Sequence, residues 1–255
     1  MVDVAEQVTI ITPTHSQAAR LATMLDAFAA NDVPHEHIIW DNSPEGYASQ
    51  FAGPDVLVLP DEPLNTRENV PFGRANNLCA KHATTPYLLL CNDDVVPRAD
   101  LLARMVETIQ IPGVYVVGAR LLYPDGLVQH AGVGLDHQLN PWHLWRFAAP
   151  DDPGPMATRP VIAVTGGCMM VDRALFTVLG GFDEALAWSY EDVDFCFRVR
   201  EQGCTIAYCA EAVAVHHEGA TRGRVHANDG TNWDYMRRKW LLTGRIFSML
   251  GVWPA

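Results

Sequence analysis

Two hydrophobic rhythms alternate along the first half of this chain. Short, mostly apolar runs occur at Val8-Thr9-Ile10-Ile11, His37-Ile38-Ile39-Trp40, Val56-Leu57-Val58-Leu59 and Tyr87-Leu88-Leu89-Leu90-Cys91. Each is too short for a helix and is closed by turn formers, so each predicts a buried strand. Between them the apolar residues recur at helical spacing. Leu21, Met24, Leu25 and Phe28 follow a candidate N-cap at Ser16, a second helix covers Ala75 to His82, and Leu101, Leu102, Met105, Val106 and Ile109 follow Asp100. Strand alternating with helix predicts an α/β fold with a mostly parallel sheet flanked by helices. Ligands in such sheets bind at the carboxyl ends of strands, and Asp41 and Asp93-Asp94 fall at two such ends.

The second half is less regular. Val114 to Ala119 predicts a strand, and residues 136–160, rich in Pro, Trp and His, predict a long loop. Val161 to Val164 leads through Thr165-Gly166-Gly167 into a strand from Cys168 to Val171. A short helix from Arg173 is stopped by Gly180-Gly181, and a longer one from Glu191 by Gly203. Thr205 to Tyr208 and Val213 to His216 predict two strands, and Thr231 to Leu250 a C-terminal helix with Trp233, Met236 and Trp240 on one face. That face either packs on the core or lies on a membrane surface.

The chain of 255 residues is 49% hydrophobic and 19% charged, enough for a sizeable core. Its formal net charge of −12 disfavours nucleic acid as a partner and unaided binding to anionic lipid. The six cysteines form no C-x-x-C pair and read as free buried thiols of a reducing compartment. Residues 1–7 carry neither a basic region nor an apolar signal core, and no apolar stretch reaches membrane-spanning length. These features predict a cytoplasmic protein.

The chemistry is concentrated at a few places. Adjacent carboxylates such as Asp93 and Asp94 repel one another at a strand end unless a cation or ligand sits between them, and a hard divalent ion with oxygen ligands fits that role. Glu191-Asp192-Val193-Asp194 opens a helix, where the dipole favours ionised carboxylates. His216-His217 ends a late strand, so the two imidazoles point to opposite faces.

In this order, these segments resemble the family 2 glycosyltransferases, whose fold is GT-A. The resemblance covers residues 8–245. It rests on the opening strand through Thr12-Pro13-Thr14, on Trp40-Asp41-Asn42-Ser43, on Leu88 through Asp94, and on Gly180-Gly181-Phe182-Asp183-Glu184 with Glu191-Asp192-Val193-Asp194. Gly118 through Gly126 and Gln129-His130-Ala131-Gly132 resemble the rhamnosyltransferase- and galactofuranosyltransferase-like branch. There are departures: His15-Ser16 after the threonine loop, Ser43-Pro44-Glu45 after Asp41, and Val70-Pro71 and Arg74 before the metal motif. They lie around the donor pocket and leave base and sugar open.

The resemblance implies a single domain with a nucleotide-binding half over about residues 8–118, an acceptor and catalytic half over 119–230, and a C-terminal helix over 231–250. It implies an inverting, metal-dependent hexosyltransferase. This enzyme would move a sugar from a UDP- or dTDP-linked donor to a saccharide or lipid-linked saccharide, in cell-surface polysaccharide or glycoconjugate synthesis, with peripheral contact at the inner membrane face. Asp94 becomes a ligand of Mn2+ or Mg2+, Asp93 a partner of the ribose or of a metal-bound water, and His216 (or its neighbour His217) the second protein ligand. Asp192 becomes the general base. Asp41 would accept the imide N–H of uracil or thymine, with Thr12 and Pro13 lining the same pocket. Gly166 and Gly167 would let the backbone approach the donor sugar. Arg74 either reaches a phosphate or is a surface arginine. Trp188, Glu191 and His130 are expected on the acceptor side, with Trp142, His143 and Trp145 beside them. Two other readings are a catalytically inactive carbohydrate- or nucleotide-binding protein and a sugar-nucleotide pyrophosphorylase. The second calls for a glycine-rich triphosphate loop with a basic residue near the N-terminus, which Thr12-Pro13-Thr14-His15-Ser16 does not offer.

Overall fold

The computed structural model describes residues 7–15, 18–60, 69–217 and 229–251, so the expected cap at Ser16 lies outside the described residues. In chain order the first half contains β1 (Val8–Thr14), α1 (Ala18–Ala29), β2 (His35–Asp41), β3 (Val56–Leu59), α2 (Phe72–Ala80), β4 (Tyr87–Cys91), β5 (Val95–Pro97) and α3 (Leu101–Ile109). The second contains β6 (Val114–Leu122), β7 (Val128–His130), β8 (Val133–Leu135), β9 (Pro141–His143), β10 (Arg159–Pro160), β11 (Cys168–Asp172), α4 (Arg173–Val178), α5 (Glu191–Glu201) and β12 (Thr205–His216), followed by α6 (Asp229–Met236) and α7 (Arg245–Leu250).

One mixed, mostly parallel sheet joins both halves in the order β10-β12-β6-β11-β4-β1-β2-β3, with β5 paired to β12 and β7 to β6. The unbroken apolar runs follow from burial on both faces. Ile10, Leu89 and Cys91 pack toward α1 and α3, while Ile11, Leu88 and Leu90 pack toward the opposite core, with Phe176 and Phe195. Period-two alternation sends successive residues of a strand to opposite sides, and neither side reaches water. Each fully buried large aliphatic or aromatic side chain contributes about 1.5–3 kcal/mol.

Two antiparallel pairings position the site. β11 lies between β4 and β6 with Cys168 opposite Cys91, which brings the loop before β11 to the carboxyl end of β4. β12 pairs with β5 with His216 opposite Val95, which brings the end of β12 to the residue after Asp94.

The elements differ from expectation in four places. The two late strands are one strand, β12, which pairs with β6 on both sides of a register break between Cys209 and Val213, while its other edge pairs first with β10 and then with β5. Residues 136–160 are not all loop, since β9 forms a hairpin with β8, and β10 pairs with β12. α2 starts three residues early because Pro71 precedes its first turn and Phe72 packs inward. The C-terminal helix is divided by Gly244 at φ 73°, after a π-helical turn from Arg237 to Leu241. Its aromatic face packs inward. Trp240 and Met236 are buried against Phe197, Leu186 and Val193, with Trp233 half-buried beside them. Among the described residues no helix is long and apolar enough to cross a membrane.

Candidate active site

The floor of the site is the turn after β4. Thr14, at the end of β1, donates to Asp93 Oδ2 at 2.6 Å and lies 2.6 Å from the Tyr47 hydroxyl. Burial pushes the Asp93 carboxyl up to about 6, with the Asp94 charge adding and the Thr14 hydrogen bond opposing. Asp94 is buried beside His216, with Oδ1 3.0 Å from Nε2. Burial alone would raise the Asp94 carboxyl. A charged His216 ring, followed by the Arg20 guanidinium, would reverse this and hold it below the usual carboxylate value. The contact is not an aligned hydrogen bond, because Asp94 Oδ1 is buried with no hydrogen-bond partner. Two candidate ligand atoms 3.0 Å apart, one of them a buried oxygen without a hydrogen bond, suit a divalent cation. His217 is exposed, and its backbone N–H donates to the Asp94 carbonyl at 3.0 Å.

One wall is Thr165-Gly166-Gly167. Gly166 donates to Asp192 Oδ2 at 2.8 Å, and a Cβ there would lie 3.2 Å from Phe72 and 3.3 Å from Asp192 Cβ. A Cβ on Gly167 would meet Asn92 and His216 Cε1, each at 3.6 Å. Consecutive residues of one loop thus touch the proposed base on one side and the Asp94–His216 pair on the other.

The opposite wall is the start of α5. Tyr190 holds a left-handed conformation at φ 67°, unusual for a non-glycine residue, and turns the chain sharply into the helix. Asp192 Oδ1 accepts its own helix's Val193 N–H at 2.7 Å, which leaves the carboxylate fixed at the cleft surface. Glu191 is buried with Oε2 unpartnered, and burial, followed by the Asp192 charge, pushes its carboxyl up to about 8. Asp194 is fully buried and satisfied: Arg198 lies 2.8 Å from Oδ2, and Lys239 and Trp240 Nε1 each lie 2.8 Å from Oδ1.

These walls enclose a cleft of about 540 Å³, within the range of small-molecule sites. Pro13, Asp93, Gly166, Gly167, Trp188, Glu191 and Asp192 line it, as do Trp142 and His143 from the β8–β9 hairpin.

Five residues named from the sequence lie elsewhere than in the cleft. Asp41 does not line the cleft: it is buried, Oδ1 accepts from Ser43 N–H at 2.8 Å and Oδ2 from Ala48 N–H at 2.7 Å, so it ties the turn after β2. Its neighbour Asn42 lines the cleft and clasps Val70 through two backbone hydrogen bonds. Thr12 points into the core, where its hydroxyl sits 3.6 Å from Met24 Sδ. Arg74 is exposed on α2 and pairs loosely with Glu184 at 3.8 Å, away from the cleft. His130 is fully buried and neutral, its ring bonded to the Ala119 carbonyl at 3.0 Å and accepting from Thr165 N–H at 3.2 Å, so it holds the glycine loop from behind. Trp145 also faces away, under Arg159 at 4.0 Å. Sequence reasoning missed Thr14, whose place one residue beyond Pro13 at a strand end was a usable signal. It also missed Asn69, whose buried Oδ1 has no partner and which lines the cleft.

Comparison with known proteins fits this geometry. The chain is 33% identical over 234 residues to the O-antigen biosynthesis protein RfbC of Myxococcus xanthus, a match covering 85% of this chain. The chain spans only 18% of that relative's length. It is 25% identical over 247 residues to an N-acetylglucosaminyl-diphospho-decaprenol L-rhamnosyltransferase of Mycobacterium tuberculosis, covering 84% of this chain and 77% of the relative. Among solved structures, GalNAc-T7 with UDP, GalNAc and Mn2+ superposes with a TM-score of 0.69 at 14% identity, over 91% of this chain and 48% of that one. The family model described as glycosyltransferase like family 2 matches residues 5–239. The chain therefore belongs to glycosyltransferase family 2, in its rhamnosyltransferase-like branch, and carries the GT-A fold.

Proposed function

We propose that this chain is an inverting hexosyltransferase that uses a UDP- or dTDP-linked sugar and a saccharide or lipid-linked saccharide acceptor, in the synthesis of a cell-surface polysaccharide or glycoconjugate. The relatives' printed roles in O-antigen synthesis and rhamnosyl transfer to a lipid-linked sugar support the acceptor class. The observation that carries the reading is the Gly166-Gly167 loop, which lines the cleft, holds Asp192 through the Gly166 N–H and passes beside His216 at Gly167.

In this reading the donor diphosphate lies over Asp93 and Asp94. Among the described residues no cluster of three or more His, Cys, Asp or Glu side chains could hold an ion unaided. Asp94 and His216 would hold Mn2+ or Mg2+ with the diphosphate oxygens completing the shell, and the ion would supply Lewis-acid neutralisation of the leaving group. Asp192 accepts the proton of the acceptor hydroxyl as that oxygen bonds to C1. The C1–O bond to the diphosphate breaks on the opposite face, and its electron pair leaves with the nucleoside diphosphate. With Asp192 acting as a base on the acceptor and not as a nucleophile on C1, the single displacement inverts the anomeric centre. Gly166 N–H and Val193 N–H hold the two Asp192 oxygens, so the carboxylate meets the acceptor without searching rotamers. Trp142 and Trp188 offer aromatic faces to the acceptor ring.

The test is turnover of UDP- and dTDP-hexoses against saccharide acceptors with Mn2+, with the product anomer assigned by NMR. Transfer with inversion, abolished in Asp192→Asn, supports the reading. A product retaining the donor's configuration overturns the mechanism, and nucleotide binding with no transfer across the panel favours a binding protein.

A further inference from the structure

Resting on the reading of Asp94 and His216 as a cation site, we propose that Gln129 is a positioning residue that fixes the His216 imidazole so that Nε2 presents its lone pair to the ion. An imidazole has two nitrogens, and the bond made by one decides which can ligate through the other. His216 Nδ1 lies 2.5 Å from Gln129 Oε1. The amide is oriented by a second contact: its Nε2 lies 3.4 Å from the His216 carbonyl oxygen and donates to it. Turning the amide over would set oxygen against oxygen there. Oε1 therefore accepts, and Nδ1 carries the hydrogen.

The consequence appears on the far side of the ring. Nε2 is left with a lone pair 3.0 Å from Asp94 Oδ1, which has no hydrogen bond of its own. Asn92 Nδ2 stands 3.4 Å from the same nitrogen. Two electron-rich atoms facing one another at that distance repel, and a cation ligated by both removes the repulsion.

Gln129 is built for the task. It is 2% exposed and sits on β7, which pairs with β6, and β6 pairs with β12 carrying His216. The imidazole and its orienting amide thus come from strands tied to one central neighbour. Gln129 also accepts, through its carbonyl, from His143 Nδ1 at 3.2 Å, which links the cleft-lining hairpin to the same point. An amide orients the ring without adding a third negative charge beside Asp93 and Asp94. The neighbouring His130 faces the other way and braces Thr165, so the adjacent Gln and His do separate work.

The experiment measures Mn2+ binding by loss of the free-ion EPR signal, at fixed UDP, for the wild type, Q129L, Q129E, H216A and H217A. Thermal melting without Mn2+ checks folding, and 15N NMR of the metal-free protein reads the His216 tautomer. Q129L is expected to bind Mn2+ ~10–100-fold more weakly and to lose the single Nδ1–H tautomer. Q129E, which keeps an acceptor for Nδ1, should hold the tautomer, and H217A should be unchanged. If Q129L melts early, Q129N, which withdraws the same amide by one methylene, should show the same loss. A folded Q129L or Q129N with wild-type affinity and tautomer overturns the inference even where H216A loses the ion. Equal Mn2+ binding by the wild type and H216A removes the cation reading itself.

Discussion

At the end of β2, Asp41 has both carboxylate oxygens filled by backbone N–H groups of Ser43 and Ala48; at the end of β4, Asp94 keeps Oδ1 bare beside His216. In sequence the two places look alike, an apolar run stopped by an acid. The same contrast recurs on α5, where Asp194 is satisfied by Arg198, Lys239 and Trp240 while Glu191, three residues earlier on the helix, has an oxygen without a partner. A buried acid whose oxygens are all occupied holds the fold together. A buried acid with an open oxygen is tolerated because something else is to arrive there.

The contrast can be attacked directly. Asp192→Asn removes the proton acceptor and keeps its shape, so turnover should fall ~10²–10⁴-fold while calorimetric UDP binding is unchanged; a smaller loss would move the base elsewhere. Asp41→Ala removes two charge-assisted hydrogen bonds and should lower unfolding stability by about 3–5 kcal/mol in urea titration, without altering donor affinity in the folded fraction. If donor affinity collapsed and stability held, Asp41 would belong to the nucleotide pocket after all.

Glu191 gives a pH signature. Its carboxyl titrates near 4.5 when unfolded and at about 8 when folded, so the folded state disfavours its charge. The stability this provides is complete below pH ~4.5 and is lost as pH rises through ~8. Glu191→Gln should flatten that decline, as read from urea midpoints across the range. Asp94→Asn should cost little stability, within about 1 kcal/mol, but weaken Mn2+ binding ~100-fold or more by the EPR assay. Asp41→Asn, its counterpart, should do the reverse. The smallest effect is expected at Arg74: its exposed, loose pairing with Glu184 predicts that Arg74→Ala changes stability by no more than about 0.5 kcal/mol and leaves the donor KM unchanged.

The chain made its fold legible because hydrophobic burial is written in periodicity. β1 to β4 and the helices between them follow from runs and spacings alone. The site's placement was legible at strand and helix ends, where Asp93, Asp94, Asp192 and His216 gather near the Gly166-Gly167 loop. It was illegible where the outcome depends on which way one side chain turns. Thr12 and Thr14 share a face of β1, yet one meets Met24 and the other Asp93. Gln129 and His130 are adjacent, and only the sheet pairing shows that one serves the imidazole and the other the glycine loop. The register break in β12 was equally hidden, because residues 210–212 are as apolar and small as any strand interior apart from Glu211.

The clasp between α5 and the segment 229–251 reaches beyond stability. Asp194 meets Lys239 and Trp240, and Asp183 meets Lys239 and Tyr235, so the segment after residue 229 anchors the helix that presents Asp192. When segments of this kind are exchanged between glycosyltransferases, a graft cut at the end of β12 would transplant the proposed base without its keel. The smallest portable module therefore extends through α7, and swapping shorter pieces should yield assemblies that bind nucleotide yet fail to aim the attack.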